Sequence, residues 1–157
     1  MTTLMEEAAR VVGALNSAGV EYALAGGLAV SLYVRPRATL DIDLLVAAAD
    51  CDKAVSALAG CGYQELTSPL LLPRITIRRV TRMQDEDMFF VDLLVAGHDL
   101  ISLLAERQTV EWKGQPVPVL LPDSLIHLKE LRNSPQDAAD IALLRRALEE
   151  HDNPPVT

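Results

Sequence analysis

The spacing of hydrophobic and polar residues along the chain switches repeatedly between the period of a helix and that of a strand. Apolar residues recur every three or four positions in segments that we expect to be helical, and they run together or alternate in segments that we expect to be strands. We expect Thr2 or Thr3 to cap the first helix and Asp50 to cap the third. In the first half of the chain the pattern predicts helix 3–17, strand 20–25, helix 28–34, strand 39–47 and helix 50–59.

The second half of the chain predicts two hairpins and further helices. The stretch RITIRRVTR alternates like a half-exposed strand, and the acidic turn QDED joins it to the apolar run MFFVDLLVA. The predicted segments are strands 74–82 and 88–96, a short helix over 99–107, strands 109–113 and 117–121, and helices that begin near residues 122 and 134. Interleaved helices and strands with hairpins indicate an α+β (mixed α/β) fold, in which helices flank a mixed sheet and the last elements are helices.

Length and composition bound the class of protein. The chain has 157 residues, of which 50% are hydrophobic, so we expect a single globular domain over residues 1–150 and a frayed tail over 151–157. A formal net charge of −8 argues against a protein that grips nucleic acid over its whole surface. No apolar run reaches the length of about 18 residues that spans a bilayer, and the N-terminus does not read as a secretory signal, so we expect no membrane and a cytoplasmic location.

Cysteine and histidine contribute little to the predicted chemistry. Cys51 and Cys61 fall at opposite ends of a predicted helix, a separation of about 15 Å, which is too long for a disulfide. The three histidines are scattered and the chain has no Cys-x-x-Cys pair, so a zinc site of the usual kind is not expected. Both cysteines are interpreted as small hydrophobic residues.

Basic residues are concentrated in two places. Two arginines precede the strand at 39–47, and four more lie along the predicted strand 74–82, at positions 35 and 37 and at positions 74, 78, 79 and 82. A local basic patch on an acidic protein fits a small anionic ligand better than a long polyanion. The second group has two interpretations, which the sequence leaves open: a surface for an anionic acceptor such as tRNA, or the solvated face of a hairpin.

Asp41 and Asp43 lie one residue apart in an otherwise apolar strand. The two-residue period of a strand places both carboxylates on one face, with Ile42 on the other. Two like charges on a covered strand are costly unless a cation compensates them. Oxygen ligands without nearby histidine or cysteine favour Mg²⁺ or Mn²⁺.

Asp92 and the pair Gly26-Gly27 each have two interpretations. Asp92 interrupts an apolar strand with a single charge, so it is either a third ligand of a metal site or half of a buried salt bridge to an arginine. Gly26 and Gly27 separate a strand from a helix, where bare backbone N–H groups favour an anion. The alternative for the two glycines is a tight turn without a ligand.

These residues together resemble a known family. The stretch LAGGLAVSLYVRPRATLDIDLLV is similar to the signature of the nucleotidyltransferase fold of the DNA polymerase β superfamily, in which an apolar strand, a glycine pair and an Asp-apolar-Asp strand precede a third acid. The chain most resembles the small bacterial nucleotidyltransferases of the AbiEii type. The matching residues are Arg37, Thr39, Asp41, Ile42 and Asp43, followed downstream by Leu128, Lys129, Arg132, Asp137, Asp140 and Ile141.

The resemblance implies a metal-dependent transfer of a nucleoside monophosphate from an NTP to an acceptor hydroxyl, with release of pyrophosphate. It assigns Asp41, Asp43 and Asp92 to the catalytic metal ions. It also assigns Gly26, Gly27, Arg37, Thr39 and Lys129 to nucleotide binding. On the residues alone, Lys129 is equally a solvated helix lysine, and Arg37 equally the partner of an acid. The resemblance further implies a role in a toxin–antitoxin or phage-defence pair, with a partner protein.

The sequence also departs from the family pattern. Leu28 follows Gly27 where many active members have serine, and Gln136 precedes Asp137 where lysine is common. These departures bear on acceptor recognition more than on metal binding. The alternative function is therefore a catalytically inactive protein of the same fold that serves as a binding or antitoxin module through a partner protein.

Overall fold

The computed structural model describes residues 3–34, 41–132 and 135–152, apart from the side chains at positions 132, 136, 151 and 152. Helices and strands interleave in this part of the chain, as the hydrophobic pattern predicts. The helices are α1 (Leu4–Ala18), α2 (Gly26–Tyr33), α3 (Cys51–Ala59), α4 (Ile101–Ala105), α5 (Pro122–Arg132) and α6 (Pro135–Asp152). The strands are β1 (Tyr22–Ala25), β2 (Asp41–Ala47), β3 (Leu70–Leu71), β4 (Thr76–Gln84), β5 (Asp87–Ala96), β6 (Gln108–Trp112) and β7 (Gln115–Val119).

The strands form one mixed sheet in the order β3-β4-β5-β2-β1-β7-β6. Both predicted hairpins are present, as the antiparallel pairs β4–β5 and β6–β7. At the centre, β2 is parallel to β5 and antiparallel to β1, and β1 is parallel to β7. The prediction of a mixed sheet with helices is confirmed, and β2 lies in the middle of that sheet.

The N-terminus of α1 follows from a reciprocal cap. The Glu6 N–H donates to Thr3 Oγ1 (3.1 Å), and the Thr3 N–H donates to the Glu6 side chain (2.9 Å). Two N–H groups that have no partner within the helix are thus satisfied. At the other end, Gly19 adopts a left-handed conformation (φ 69°) and ends the helix. Thr3 is the cap.

Asp50 does not cap α3 through its side chain, contrary to the sequence-based expectation. A short 3-10 turn, Ala48–Asp50, precedes the helix and leaves Asp50 with helical backbone angles instead of the extended ones of a capping residue. Its carboxylate instead accepts the backbone N–H of Glu21 at 2.8 Å. This hydrogen bond therefore links the residue before β1 to the 3-10 turn that follows β2.

Several segments also differ from the prediction. Helix α2 begins at Gly26 instead of residue 28, so both glycines lie inside it. The proline-bracketed segment 69–73, for which the pattern predicts no helix or strand, contributes the short edge strand β3. Helix α6 continues through Asp152, into the segment that we expected to be frayed.

No helix within the described ranges is long and apolar enough to cross a membrane. Cys51 and Cys61 are free thiols.

A buried ionic cluster joins α1 to the sheet. The Glu7 side chain is fully buried and accepts from Arg82 Nε (2.6 Å), the Tyr63 hydroxyl (2.8 Å) and Arg10 Nη1 (3.1 Å). Burial by itself raises the pKa of Glu7, but the hydrogen bonds from Arg82 and Tyr63 and the charges of Arg82 and Arg10 outweigh it and hold the pKa below its ordinary value. Glu7 is thus an ionised carboxylate with three donors inside the core.

Candidate functional site

Parallel pairing of β2 with β5 places Asp43 directly beside Asp92. The two residues are register partners, and Asp41 lies two positions before Asp43 on the same strand, hence on the same face. Asp43 and Asp92 are each about 9% exposed, whereas the Asp41 side chain is 35% exposed. The three carboxylates that the sequence singles out therefore lie on one face of the sheet, where the start of β2 pairs with the middle of β5.

Arg79 of β4 supplies a positive charge next to these carboxylates. It is the register partner of Asp92, and its Nε and Nη2 donate to the two oxygens of that carboxylate at 2.7 and 2.9 Å. Nη2 also lies 3.4 Å from Asp41 Oδ2, and the guanidinium stacks 4.5 Å from the centre of the Phe90 ring. The hydrogen bond to Asp92 raises the pKa of Arg79 above its ordinary value. The salt-bridge interpretation of Asp92 describes this arrangement.

The same aspartates are the natural candidates for a divalent cation. Their donor chemistry, oxygen from three carboxylates, is what Mg²⁺ and Mn²⁺ prefer. Yet no group of three or more His, Cys, Asp or Glu residues, among those that the structure describes, is arranged to hold a metal ion. Both oxygens of Asp92 accept from Arg79 instead. The residue types therefore suit a metal ion, whereas the Arg79 guanidinium competes with such an ion for the Asp92 carboxylate.

Gly26 is packed against Asp43 where β1 turns into α2. Its φ of 62° lies in the left-handed region, and a Cβ at this position would lie 2.7 Å from both Cβ and Cγ of Asp43, and closer still to Oδ2. The N-terminus of a helix carries partial positive charge, so the start of α2 is a favourable neighbour for this carboxylate. Gly27 follows as a buried residue of the same turn.

Lys129 of α5 is buried and paired, not solvated. Its Nζ lies 2.8 Å from Asp140 Oδ2 and 3.5 Å from Asp137 Oδ1, both on α6, and its side chain is only 7% exposed. Lys129 also lines a narrow cavity together with Gly26. The lysine therefore lies near the glycine turn, with its charge shared between two carboxylates.

An open cleft of about 530 Å³ lies beside the aspartates, within the size range of small-molecule sites. Its lining includes the charged residues Asp43, Asp92, Arg79 and Asp137. The segment around β3 and apolar residues of β4 and β5 form the rest of its wall. These lining residues are Thr67, Ser68, Pro69, Leu70, Leu72, Ile77 and Leu94. The sequence pattern did not predict this wall, because the segment reads as a loop.

Most of the predicted basic patch on β4 is neutralised within the protein. Arg78 donates to Glu65 (2.8 and 3.0 Å) and to Asp52 (2.9 Å), and Arg82 binds Glu7. With Arg79 on Asp92, three of the four arginines on and before this strand have carboxylate partners. Two further predicted nucleotide-binding residues, Arg37 and Thr39, lie outside the described residues.

Solved structures with similar folds are nucleotidyltransferases or resemble them. ANT(2'')-Ia, crystallised with adenylyl-2''-tobramycin, superposes with a TM-score of 0.66 at 12% identity, covering 96% of this chain and 92% of that one. A candidate nucleotidyltransferase from Thermotoga maritima gives 0.64 at 17% identity over 93% and 92% of the two chains. The lincosamide antibiotic adenylyltransferase LnuA, with lincomycin bound, gives 0.62 at 16% identity over 89% and 95%.

These likenesses establish the fold. The chain has a nucleotidyltransferase-like fold over nearly its whole length, and it covers most of each of these three structures. Neither a protein-family model nor a curated protein sequence matches the chain. The AbiEii type, which the sequence resembles, is not distinguished by these structures from other nucleotidyltransferases.

Proposed function

We propose that this protein is a metal-dependent nucleotidyltransferase that moves a nucleoside monophosphate from an NTP to an acceptor hydroxyl. The observation that carries the proposal is the pairing of Asp43 with Asp92 on parallel central strands, beside a helix that begins at Gly26. Adjacent acids next to the positive end of a helix form a site that suits phosphate groups together with a cation. The likeness in fold to adenylyltransferases supports the same activity.

The proposed roles combine the positions of the described residues with the family resemblance, which alone supplies the roles of Arg37 and Thr39. The backbone N–H groups at Gly26 and Gly27 would bind oxygens of the triphosphate, with Arg37, Thr39 and Lys129 as further nucleotide-binding residues. Asp41, Asp43 and Asp92 would hold Mg²⁺ or Mn²⁺, which when bound would neutralise the triphosphate and the departing pyrophosphate. In the transfer, the acceptor oxygen bonds to the α-phosphorus, the bond to pyrophosphate breaks, and the hydroxyl proton is released.

A small molecule is the acceptor that we favour. Two of the similar structures contain small antibiotic molecules, an adenylylated tobramycin and lincomycin. The cleft beside Asp92 is large enough for such a molecule and has an apolar wall. A tRNA acceptor would need free positive charge, whereas Arg78, Arg79 and Arg82 are already paired with carboxylates. A toxin–antitoxin role with a partner protein, and a cytoplasmic location, remain proposals from the sequence.

The second candidate is a catalytically inactive binding or antitoxin module. The Arg79–Asp92 pair favours it, because a guanidinium that fills the site permanently would exclude a catalytic cation. The two candidates differ in one measurable property. The enzyme binds an NTP in a Mg²⁺-dependent way, and the module does not.

We expect a Mg²⁺-dependent thermal shift with at least one of ATP, GTP, CTP and UTP, and we expect Asp43→Asn to abolish it. A ligand at 100 times its Kd stabilises a folded protein by about 2.7 kcal/mol, which corresponds to several degrees in Tm. Asp85→Asn is the matched control, since it makes the same chemical change in the exposed turn of the β4–β5 hairpin. Absence of any nucleotide shift in the wild-type protein would reject the enzyme in favour of the module.

A further inference from the structure

Arg79 makes contacts with the acids that are too specific for a residue of a solvated strand face. Its fork geometry satisfies both oxygens of Asp92, at 2.7 and 2.9 Å, and the outer nitrogen extends to Asp41 at 3.4 Å. Paired N–H donors facing a carboxylate form one of the stronger ion pairs in proteins. The guanidinium also lies 4.5 Å from the centre of the Phe90 ring, a cation–π contact that favours this position of the side chain.

The position of the guanidinium is the position that a cation ligated by Asp92 would need. A divalent ion binds a carboxylate through its oxygen lone pairs, two of which now accept from Nε and Nη2. An ion bound to Asp92 would also lie close to the guanidinium, and the two positive charges would repel each other in a partly buried site. Binding of Arg79 and binding of a metal ion to Asp92 are therefore competitive, and the cation concentration sets the share of molecules in which the ion is bound.

We propose that Arg79 is an internal counter-ion that competes with divalent cations for Asp92 and Asp41, so that part of the negative charge of the site is compensated before any cation arrives. The Arg79 side chain is 42% exposed and lines the open cleft, so it can leave Asp92 without disturbing the strand that carries it. The inference rests on the proposed function in one respect, because it takes these aspartates as the cation ligands. It adds that the resting site resists occupation by a cation alone.

The test is direct Mn²⁺ binding, measured by electron paramagnetic resonance in the absence of nucleotide. We expect Arg79→Gln to bind Mn²⁺ at least about tenfold more tightly than the wild-type protein, since loss of a competing ion pair worth about 1.4 kcal/mol corresponds to a tenfold change in Kd. Arg79→Lys retains the competing charge and should stay close to wild type. Arg78→Gln is the matched control, because Arg78 pairs with Glu65 and Asp52 and leaves the aspartates untouched.

A second readout is thermal stability without nucleotide. Arg79→Gln should lower Tm in the presence of a chelator, because Asp92 and Asp41 then lose the guanidinium that pairs with them, and Mn²⁺ should restore it. The wild-type protein should respond much less to the ion. If Arg79→Gln does not fold, Phe90→Leu removes the ring under the guanidinium and should raise the Mn²⁺ affinity in the same direction.

The inference is overturned if Arg79→Gln, or Phe90→Leu in its place, binds Mn²⁺ no more tightly than the wild-type protein. It is also overturned if the gain survives addition of Asp92→Asn, because the ion would then lie elsewhere. Failure of the proposed function is distinct. If Arg79→Gln gains Mn²⁺ affinity but the wild-type protein binds no NTP, the competition by Arg79 is supported and the proposed enzyme is rejected. If the wild-type protein binds Mg²⁺-NTP but Arg79→Gln does not change Mn²⁺ affinity, the proposed enzyme is supported and the competition is rejected.

Discussion

Replacing Gly26 with alanine is expected to abolish nucleotide binding and to lower the free energy of unfolding by roughly 2–5 kcal/mol. A left-handed φ costs a non-glycine residue about 1–2 kcal/mol, and forced overpacking costs about 1–3 kcal/mol more. The added methyl group would strike the Asp43 carboxylate, so either the strand or the acid must move. Chemical denaturation measures the stability change, and the Mg²⁺-dependent thermal shift measures binding.

Gly19→Ala separates the two causes. Gly19 has a similar φ of 69°, but a Cβ there would meet no atom within 4 Å. This control should lose only the conformational part, about 1–2 kcal/mol, and should bind nucleotide like the wild-type protein. Equal losses in the two variants, with nucleotide binding intact in both, would show that Gly26 serves the turn alone and not the approach of α2 to Asp43.

Glu7→Ala is expected to destabilise the fold by roughly 3–5 kcal/mol, the cost of breaking a buried pair and leaving its partner without compensation. The change removes the acceptor of Arg82 Nε, whose side chain is only 12% exposed, and of the buried Tyr63 hydroxyl. The same residues link α1 to β4, so the loss should appear in urea unfolding as a lower midpoint. Nucleotide binding should survive at temperatures where the variant remains folded.

Glu130→Ala provides the comparison on the surface. Glu130 pairs with Arg145 at 2.9 Å, but the two side chains are 49% and 61% exposed. An exposed pair of this kind contributes about 0–1 kcal/mol. Equal effects of Glu7→Ala and Glu130→Ala would contradict the importance of the buried cluster.

The lowered pKa of Glu7 also predicts how stability depends on pH. A carboxyl whose folded-state pKa lies below its unfolded value of about 4.5 contributes stability that is fully present above that value. The contribution is lost as the pH falls from about 4.5 through the folded-state pKa. Glu7→Gln should therefore show a shallower loss of stability below pH 4.5 than the wild-type protein. Identical pH profiles in urea unfolding would contradict this assignment.

The sequence predicts the mixed sheet and the common location of its three acids. It predicts less well which residues form ion pairs with those acids. The two-residue period places Asp41 and Asp43 on one face, and the resemblance relates Asp92 to them through a later strand. The pattern of residues along the chain does not say which arginine pairs with Asp92, although the predicted hairpin does. With Gln84 opposite Asp87 across the turn, counting back along both strands pairs Arg79 with Asp92. The register of the hairpin is therefore the sequence feature that identifies Arg79 as the partner of Asp92.

Other features depend on contacts between distant segments, which local patterns do not encode. Glu7 looks like a first-turn acid of an amphipathic helix, yet its partners come from β4 and from the turn after α3. Lys129 reads equally as solvated or functional until α6 packs its two acids against it. The wall of the cleft comes from β3, a strand of two residues that propensity alone would not identify.

The parallel pairing of β2 with β5 gives the acidic site an all-or-none character. Because successive side chains of a strand point to opposite faces, a slip of one residue between these strands would carry Asp92 to the far side of the sheet. The strands are separated in the chain by α3, β3 and β4, so their pairing is a non-local contact. A chain in which these two strands are not paired in register would therefore lack the site, and formation of the site would report that pairing.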